Sequence, residues 1–269
     1  MSKKRQAVHL CPRLPAAVTA LSFDLSHGHT IPEHMHPEDQ LVYACAGVMT
    51  VRTTAGTWVV PAQRAVWIPA FTAHSIRTSG AVSMRTIYLR GRMVRHLPRT
   101  CCVVNVSPLL QHLIVHLCTV GKLNRRSKTQ AHLIDVLIDQ LEMVKTVALQ
   151  LPSLSDARAA RVAAELQQNA SEASLEHICS QAGASKRTIE RLFRQETKLS
   201  LGKWRQQLRL LRSLELLASG EKISSAALEA GYSTPSAFIA MFRKALGTTP
   251  RRYFEDSAGQ RFLAHLTGR

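Results

Sequence analysis

The period of the apolar positions changes along the chain and divides it into three regions. Between about Val18 and Leu89 short apolar runs alternate with polar residues and are punctuated by Gly28, Gly47, Gly56, Pro61, Pro69 and Gly80. Leu41–Cys45, Val48–Thr53, Thr57–Val60, Ala65–Ile68 and Met84–Leu89 read as strands. Many short strands at such intervals indicate a β-sandwich or barrel. From about Pro108 to Leu149 the period lengthens. Leu133, Val136, Leu137, Leu141 and Val144 recur at three and four, which predicts an amphipathic helix, and Leu109, Leu113, Val115 and Leu117 mark another before it. Gly121–Lys128 lacks apolar spacing and reads as the polar turn between them. After Leu151-Pro152-Ser153, a linker, no alternating stretch returns. The expected fold class is α+β multidomain: a β-barrel domain over residues 1–104, a helical linker pair over 105–152, and an all-α domain over 153–269.

The helical third contains a degenerate repeat. Leu175–Gln181 is a short amphipathic helix, followed by Ala182-Gly183 and then SKRTIERLFRQ from Ser185. Ile223–Glu229 is another, followed by Ala230-Gly231 and then TPSAFIAMFRK from Thr234. Each copy is a short helix, a glycine-containing turn and a second helix, the helix-turn-helix arrangement in which glycine takes the left-handed turn cheaply. Ser185 and Thr234 suit the N-caps of the second helices. Between the copies, Leu201 to about Ser219 carries Trp204, Leu208, Leu211, Leu214 and Leu217 on one face. About 19 residues at ~1.5 Å each make a rod of roughly 28 Å. Such a rod suits two reading helices in major-groove segments about 34 Å apart.

Charge agrees with a polyanion partner. The chain has 35 Lys+Arg against 18 Asp+Glu, a formal net charge of +17. Neutralised phosphates release counterions, so this excess favours DNA. From Ser155 onward the count is 18 against 11, with 17 against 7 upstream, so charge does not say which half touches DNA. No apolar run approaches the ~20 residues of a membrane helix. The basic start, MSKKRQAVHLCPRLP, has no continuous apolar core of a secretory signal. A cytoplasmic location, with no membrane partner, is the default expectation. Cys11, Cys45, Cys101, Cys102, Cys118 and Cys179 form no C-x-x-C pair and suit reduced structural thiols. The adjacent Cys101 and Cys102 raise oxidant sensing as a further reading.

On S-K-R-T-I-E-R-L-F-R, R-L-L-R-S-L-E-L-L and A-G-Y-S-T-P-S-A-F-I-A-M-F-R-K-A-L-G-T-T-P, the chain resembles the AraC/XylS family of bacterial transcription regulators. The resemblance covers about Ala159 to Phe254 and includes both units and the final Gly247-x-x-Pro250. Lys198 departs from it, standing where the first unit usually has the glycine found at Gly247 in the second. The resemblance implies base contacts at Arg187, Glu190 and Arg191. The DNA-facing candidates of the first unit are Ser185, Lys186, Arg187, Thr188, Glu190 and Arg191. Arginine reads guanine, and glutamate accepts from cytosine. In the second unit they are Thr234, Ser236, Ala237 and Ala240, without a long polar reader. Ala240 stands where relatives often carry arginine. That helix is expected to meet thymine methyls or phosphates and to add little specificity. Arg194, Arg205, Arg209, Arg243, Lys244, Arg251 and Arg252 are phosphate-contact candidates, with a merely solvated charge as the competing reading of each.

Upstream, Gly28-x5-His34-x-His36-x3-Gln40-x6-Gly47 and Pro69-x4-His74 resemble the two cupin motifs, with Gln40 in place of glutamate and Phe71 in place of glycine. Two imidazoles one residue apart on a strand point the same way. A third from a facing strand completes a facial metal site, with His34, His36 and His74 as ligands of a divalent metal. A polar pocket without metal is the competing reading. His34, His36, Gln40, Tyr43, Trp58 and His74 are the effector-pocket candidates, against ordinary packing inside a small barrel. H-M-H-P-E-D-Q-L-V-Y with R-A-V-W-I-P looks closest to the nitroimidazole-resistance type of AraC regulator, which implies a small-molecule sensor governing a transport or resistance gene.

The expected function is thus an effector-responsive, sequence-specific DNA-binding regulator rather than an enzyme. Homodimerisation through the middle helices and contact with RNA polymerase go with that role. A metal-dependent cupin enzyme with an accessory DNA module is the alternative, and a ligand-independent architectural DNA binder a third.

Overall fold

A computed structural model describes residues 9–11, 14–168 and 174–255. Much of the charged N-terminal start, residues 1–8 and 12–13, lies outside them, as does 256–269. Eleven strands come first, interrupted by two helices: β1 (His9–Leu10), β2 (Val18–Leu25), β3 (Thr30–Met35), β4 (Asp39–Thr53), β5 (Gly56–Pro61), β6 (Arg64–Ile68), β7 (His74–Leu89), β8 (Cys102–Asn105), α1 (Pro108–Val120), β9 (Lys122–Leu123), α2 (Lys128–Glu142), β10 (Thr146–Val147) and β11 (Gln150–Pro152). The rest is helical: α3 (Ala157–Gln168), α4 (Leu175–Gln181), α5 (Lys186–Thr197), α6 (Leu201–Ala218), α7 (Ile223–Glu229) and α8 (Pro235–Leu246), with a last helical stretch over 250–255. Among the described residues no helix is long and apolar enough to cross a membrane.

The long antiparallel pair β4–β7 is the spine of the sheet. Its register shifts between Ala44 and Ala46 and again between Ala46 and Val48, opposite the left-handed Gly80. Bulges bend and twist a strand, and here they divide the sheet into two halves. Beyond the spine, β6, β8 and β2 flank one half, and β5 and β3 the other. In the first half, Leu41, Tyr43, Cys45, Ala65, Trp67, Ile87 and Leu89 share one face and pack with Leu110, Ile114, Leu117, Ile134, Leu137 and Leu141 of α1 and α2. Gln40, Val42, Ala44, Met84 and Thr86 occupy the opposite, interior face.

The stretch 105–152, expected as a helical linker, also supplies β9, β10 and β11 to the sheet. The two helices are therefore stitched to the barrel. Ser107 and Ser127 cap them, each hydroxyl accepting a backbone N–H one turn on.

The helical domain docks on the second half of the sheet through α6. Thr50 and Val59 are paired across β4 and β5, and the Thr50 hydroxyl donates to the Glu215 carboxylate of α6. Tyr253 Oη donates to the Ala62 carbonyl at 2.7 Å, and Trp204 Nε1 to that of Pro152 at 3.3 Å. One continuous cluster of buried residues runs from Val42, Met49 and Val59 to Leu210, Leu214 and Phe242.

Candidate nucleic-acid interface and sensor site

Both helix-turn-helix units form as the repeat predicts. Gly183 and Gly231 hold the turns at φ +77° and +84°. Ser185 Oγ accepts from Thr188 N at 3.3 Å, and Thr234 Oγ1 from Ala237 N at 3.2 Å, each satisfying a helix-terminal donor. Ile189, Leu192 and Phe193 face the core in α5, and Phe238 and Phe242 in α8. Phe193 meets Trp204 of α6 edge-on, with centroids 5.3 Å apart. The connecting helix α6 thereby anchors the first reading helix.

The outward faces differ in chemistry. Arg187, Glu190, Arg191 and Arg194 are exposed on α5, and Arg191 Nη1 donates to Gln195 Oε1 at 3.2 Å. Lys186 is also exposed, but its ammonium donates to Glu176 Oε1 at 2.8 Å and ties α5 to α4. Ser236, Ala237 and Ala240 are exposed on α8. Arg243, Lys244, Arg251 and Arg252 are exposed, Arg251 paired with Glu255 at 2.7 Å. Arg205 and Arg209 are only partly exposed, and the Arg209 guanidinium lies over the Tyr232 ring at 5.8 Å. Lys198 ends α5 in the left-handed conformation at φ +61°, the same role that Gly247 plays for α8 at φ +80°.

The barrel brings His34, His36 and His74 together. His34 lies opposite His74 across β3 and β7, with ring centroids 4.3 Å apart, and one candidate ligand atom from each of the three lies within 4.8 Å of the others. Each Nδ1 faces a backbone carbonyl: Pro32 at 2.8 Å, Glu38 at 2.9 Å and Thr72 at 2.8 Å. A donor at Nδ1 leaves a bare Nε2, the tautomer that suits a metal ligand. Burial holds His36 below its ordinary pKa and takes His74 down to about 4, so both are neutral near pH 7. His74 Nε2 is buried without a hydrogen-bond partner. Gln40 Oε1 lies 3.1 Å from His36 Nε2, and Gln40 Nε2 donates to Thr86 Oγ1 at 2.9 Å. The Gln40 amide therefore belongs to the cluster.

Two expected pocket residues do not join it. Tyr43 lies on the face of the sheet that α1 and α2 cover, opposite in parity to Gln40. Trp58 lies in the core against β11, where Nε1 donates to Gln150 Oε1 at 3.1 Å. The expectation missed Thr86 and Tyr88, the latter edge-on to His36 at 5.1 Å. Both lie nearly fifty residues from Gln40, and only the strand register reveals them. Cys101 and Cys102 point into different cores, and burial pushes their thiols up to about 12 and about 11. Suppressed thiolates on opposite faces do not form a vicinal redox pair.

Family models match both parts of the chain. Residues 18–151 match the AraC-like ligand binding domain, and residues 178–256 match a helix-turn-helix domain. The chain is 34% identical over 225 residues to the HTH-type transcriptional regulator NimR of Escherichia coli, covering 83% of this chain and 82% of that one. It is 31% identical over 80 residues to the transcriptional activator RhaR of Mannheimia succiniciproducens, 29% of each chain. Among solved structures, ToxT of Vibrio cholerae aligns over 91% of this chain and 96% of its own at 12% identity, with a TM-score of 0.37. The chain belongs to the AraC family of transcription regulators, with a ligand-binding domain ahead of its helix-turn-helix DNA-binding domain.

Proposed function

We propose that this regulator reads base sequence through α5 and uses α8 chiefly to hold register on the neighbouring groove segment. The carrying observation is the contrast between Arg187, Glu190 and Arg191 on one exposed face and Ser236, Ala237 and Ala240 on the other. Guanidinium and carboxylate groups discriminate base edges, whereas small side chains reach only thymine methyls or pass phosphates close by. Lys186 is assigned to holding α4 on α5, since its ammonium already has a carboxylate partner. Ser185, Thr188 and Thr234 serve the helix N-termini, whose free N–H groups suit phosphates. Arg194, Arg243, Lys244 and Arg252 are assigned to the backbone, Arg251 is held by Glu255 as Lys186 is by Glu176, and the half-covered Arg205 and Arg209 brace α6. Selection from randomised duplexes tests this reading. Sharp preference in one segment beside a tolerant one supports it, and equally sharp preference in both overturns it.

In the same reading the barrel senses a small-molecule effector in the cytoplasm and sets the output of a transport or resistance gene. The exposed Leu109 of α1, Val136 of α2 and Met143 just after α2 offer a self-association surface, and RNA polymerase is the downstream partner. His34, His36 and His74, with Gln40 Oε1 beside them, fit a divalent cation. The orphaned His74 Nε2 lacks any other partner. A bare His36 Nε2 facing an amide oxygen repels it, and a cation accepting both removes that conflict. Bound there, the metal would supply a Lewis-acidic position for an effector oxygen or nitrogen. Titration of the full chain with zinc and with nickel checks this. One equivalent in the wild type and a large loss in His36→Ala and His74→Ala supports it. Unchanged metal content in either variant refutes it.

A further inference from the structure

A cavity of about 470 Å³ opens on the opposite side of the strand end that carries Gln40. Its floor is Trp67, Val94 and Leu97, all at most 3% exposed. Its rim carries Arg92, Arg99 and the ring of Phe71. None of the three histidines lines it. The volume lies within the ~300–1,000 Å³ of small-molecule sites.

Phe71 is the odd residue. It holds φ +57°, a conformation where glycine is at home and a bulky side chain is strained, at the position where the resembled motif has glycine. The strain is fixed by the loop: Phe71 N donates to the His36 carbonyl at 2.8 Å, and Thr72 N to that of Pro69 at 3.2 Å. The backbone is thus held in a costly state, and the aromatic face it presents is 62% exposed. Strain combined with an unpaired apolar surface at a cavity mouth is characteristic of a binding position.

The charges define the ligand further. Among the described residues neither Arg92 nor Arg99 has a hydrogen bond or a salt bridge. Asp39, the one acidic residue of the lining, is 8% exposed and accepts from Ala70 N at 2.9 Å. Two guanidiniums and one carboxylate leave the lining one positive charge in excess. A single carboxylate on the ligand would balance it. The wall between Gly91 and Arg99 is fastened to α2, because Arg95 N and His96 N donate to the two Glu142 oxygens at 2.7 and 2.9 Å.

We propose that this cavity binds a small aromatic monocarboxylate, its ring between Phe71 and the Trp67 floor and its carboxylate at Arg92 and Arg99. The site deepens the effector reading of the barrel, and it rests on that reading only for its regulatory consequence. Binding there would press on the wall that Glu142 ties to α2.

The test uses the full-length protein with 2-naphthoate as probe and 2-naphthamide as its neutral counterpart, read by saturation-transfer NMR and calorimetric titration. Naphthoate is expected to bind saturably and at least tenfold more tightly than the amide. The Arg92→Gln/Arg99→Gln double variant should lose that preference. Phe71→Gly, which relaxes the backbone, should weaken both probes by a similar factor while raising thermal stability, and so separates ring contact from misfolding. Equal affinity for acid and amide, retained preference in the double variant, or no saturable binding of either probe would overturn the proposal. DNA affinity is measured in parallel with and without naphthoate. Selective binding that leaves DNA affinity unchanged keeps the site and removes its effector role. Loss of DNA binding without probe would refute the regulator reading instead.

Discussion

Gly80 and Gly28 hold almost the same torsion, φ +74° and +73°, in different surroundings. A Cβ on Gly80 would lie 2.1 Å from the carbonyl oxygen of Ala218 at the end of α6, whereas one on Gly28 would meet nothing within 4 Å. The pair therefore separates a backbone cost from a contact cost. Placing alanine in the left-handed region costs about 1–2 kcal/mol, and at Gly28 that is the whole effect. At Gly80 the oxygen must also retreat from 2.1 Å to the 3.4 Å at which ordinary contact begins. Overpacking of this kind costs about 1–3 kcal/mol more. Ala218 belongs to the helix that docks on Thr50 and Val59, so the cheapest relief is separation of the domains. Calorimetry and small-angle scattering on Gly28→Ala and Gly80→Ala read the two terms. Gly28→Ala should lower the melting temperature without changing the radius of gyration. Gly80→Ala should expand the particle and split the unfolding transition. Identical behaviour of the two variants would refute the docked arrangement in solution.

Lys198→Gly should raise the stability of the helical domain by about 1 kcal/mol, because glycine takes the left-handed cap at φ +61° without a Cβ penalty; an unchanged or lowered denaturation midpoint would contradict this. Arg187→Ala and Arg191→Ala should each lose roughly 1–3 kcal/mol at the selected site and relax base preference there. Competition between cognate and scrambled duplexes checks it, and a wild-type ratio in both variants removes the assignment. His34→Ala should blunt the effector response of the full chain while leaving DNA binding intact, and an operator titration with and without effector shows an unaltered response if His34 has no sensing role.

The two reading units were legible because a helix-turn-helix declares itself locally: caps at Ser185 and Thr234, glycines at the turns, and apolar residues spaced at three and four. The barrel was legible in kind and less so in detail. Leu41–Cys45 and Val48–Thr53 read as two strands because the bulges around Ala46 flip the parity of the alternation, although the chain continues as one strand. β9, β10 and β11 are two or three residues long, too short to carry any period. The separation of Tyr43 from Gln40 follows from strand parity. Gln40 and Tyr43 differ by an odd number along one unbulged stretch of strand, and side chains alternate faces with period two. Thr86 and the wall from Gly91 to Arg99 carried no such signal, since register and loop path place them.

The boundary near Leu151–Ser155 has a sequence signature and a different physical character. Its proline and serines mark a linker, yet little of it is left free. Gln150 pairs with Trp58 in β11–β5, and its carbonyl accepts from Gln207 of α6. Ser155 donates from its hydroxyl to Glu196 Oε2 at 2.8 Å, and Asp156 N donates to Glu196 Oε1 at 3.2 Å. Glu196 lies in the last turn of α5, the helix bearing Arg187 and Arg191. A strand of the sensor and α5 are therefore joined through the short stretch Ser153–Asp156 and one carboxylate. An effector shifts an equilibrium only by its differential affinity for two arrangements. An effector acting through this contact would have to distinguish α6 docked on the Thr50–Val59 face from α6 released from it. The continuous core between barrel and reader makes the docked arrangement the one that buries apolar surface, so release requires an effector to favour the open form by more than that burial contributes.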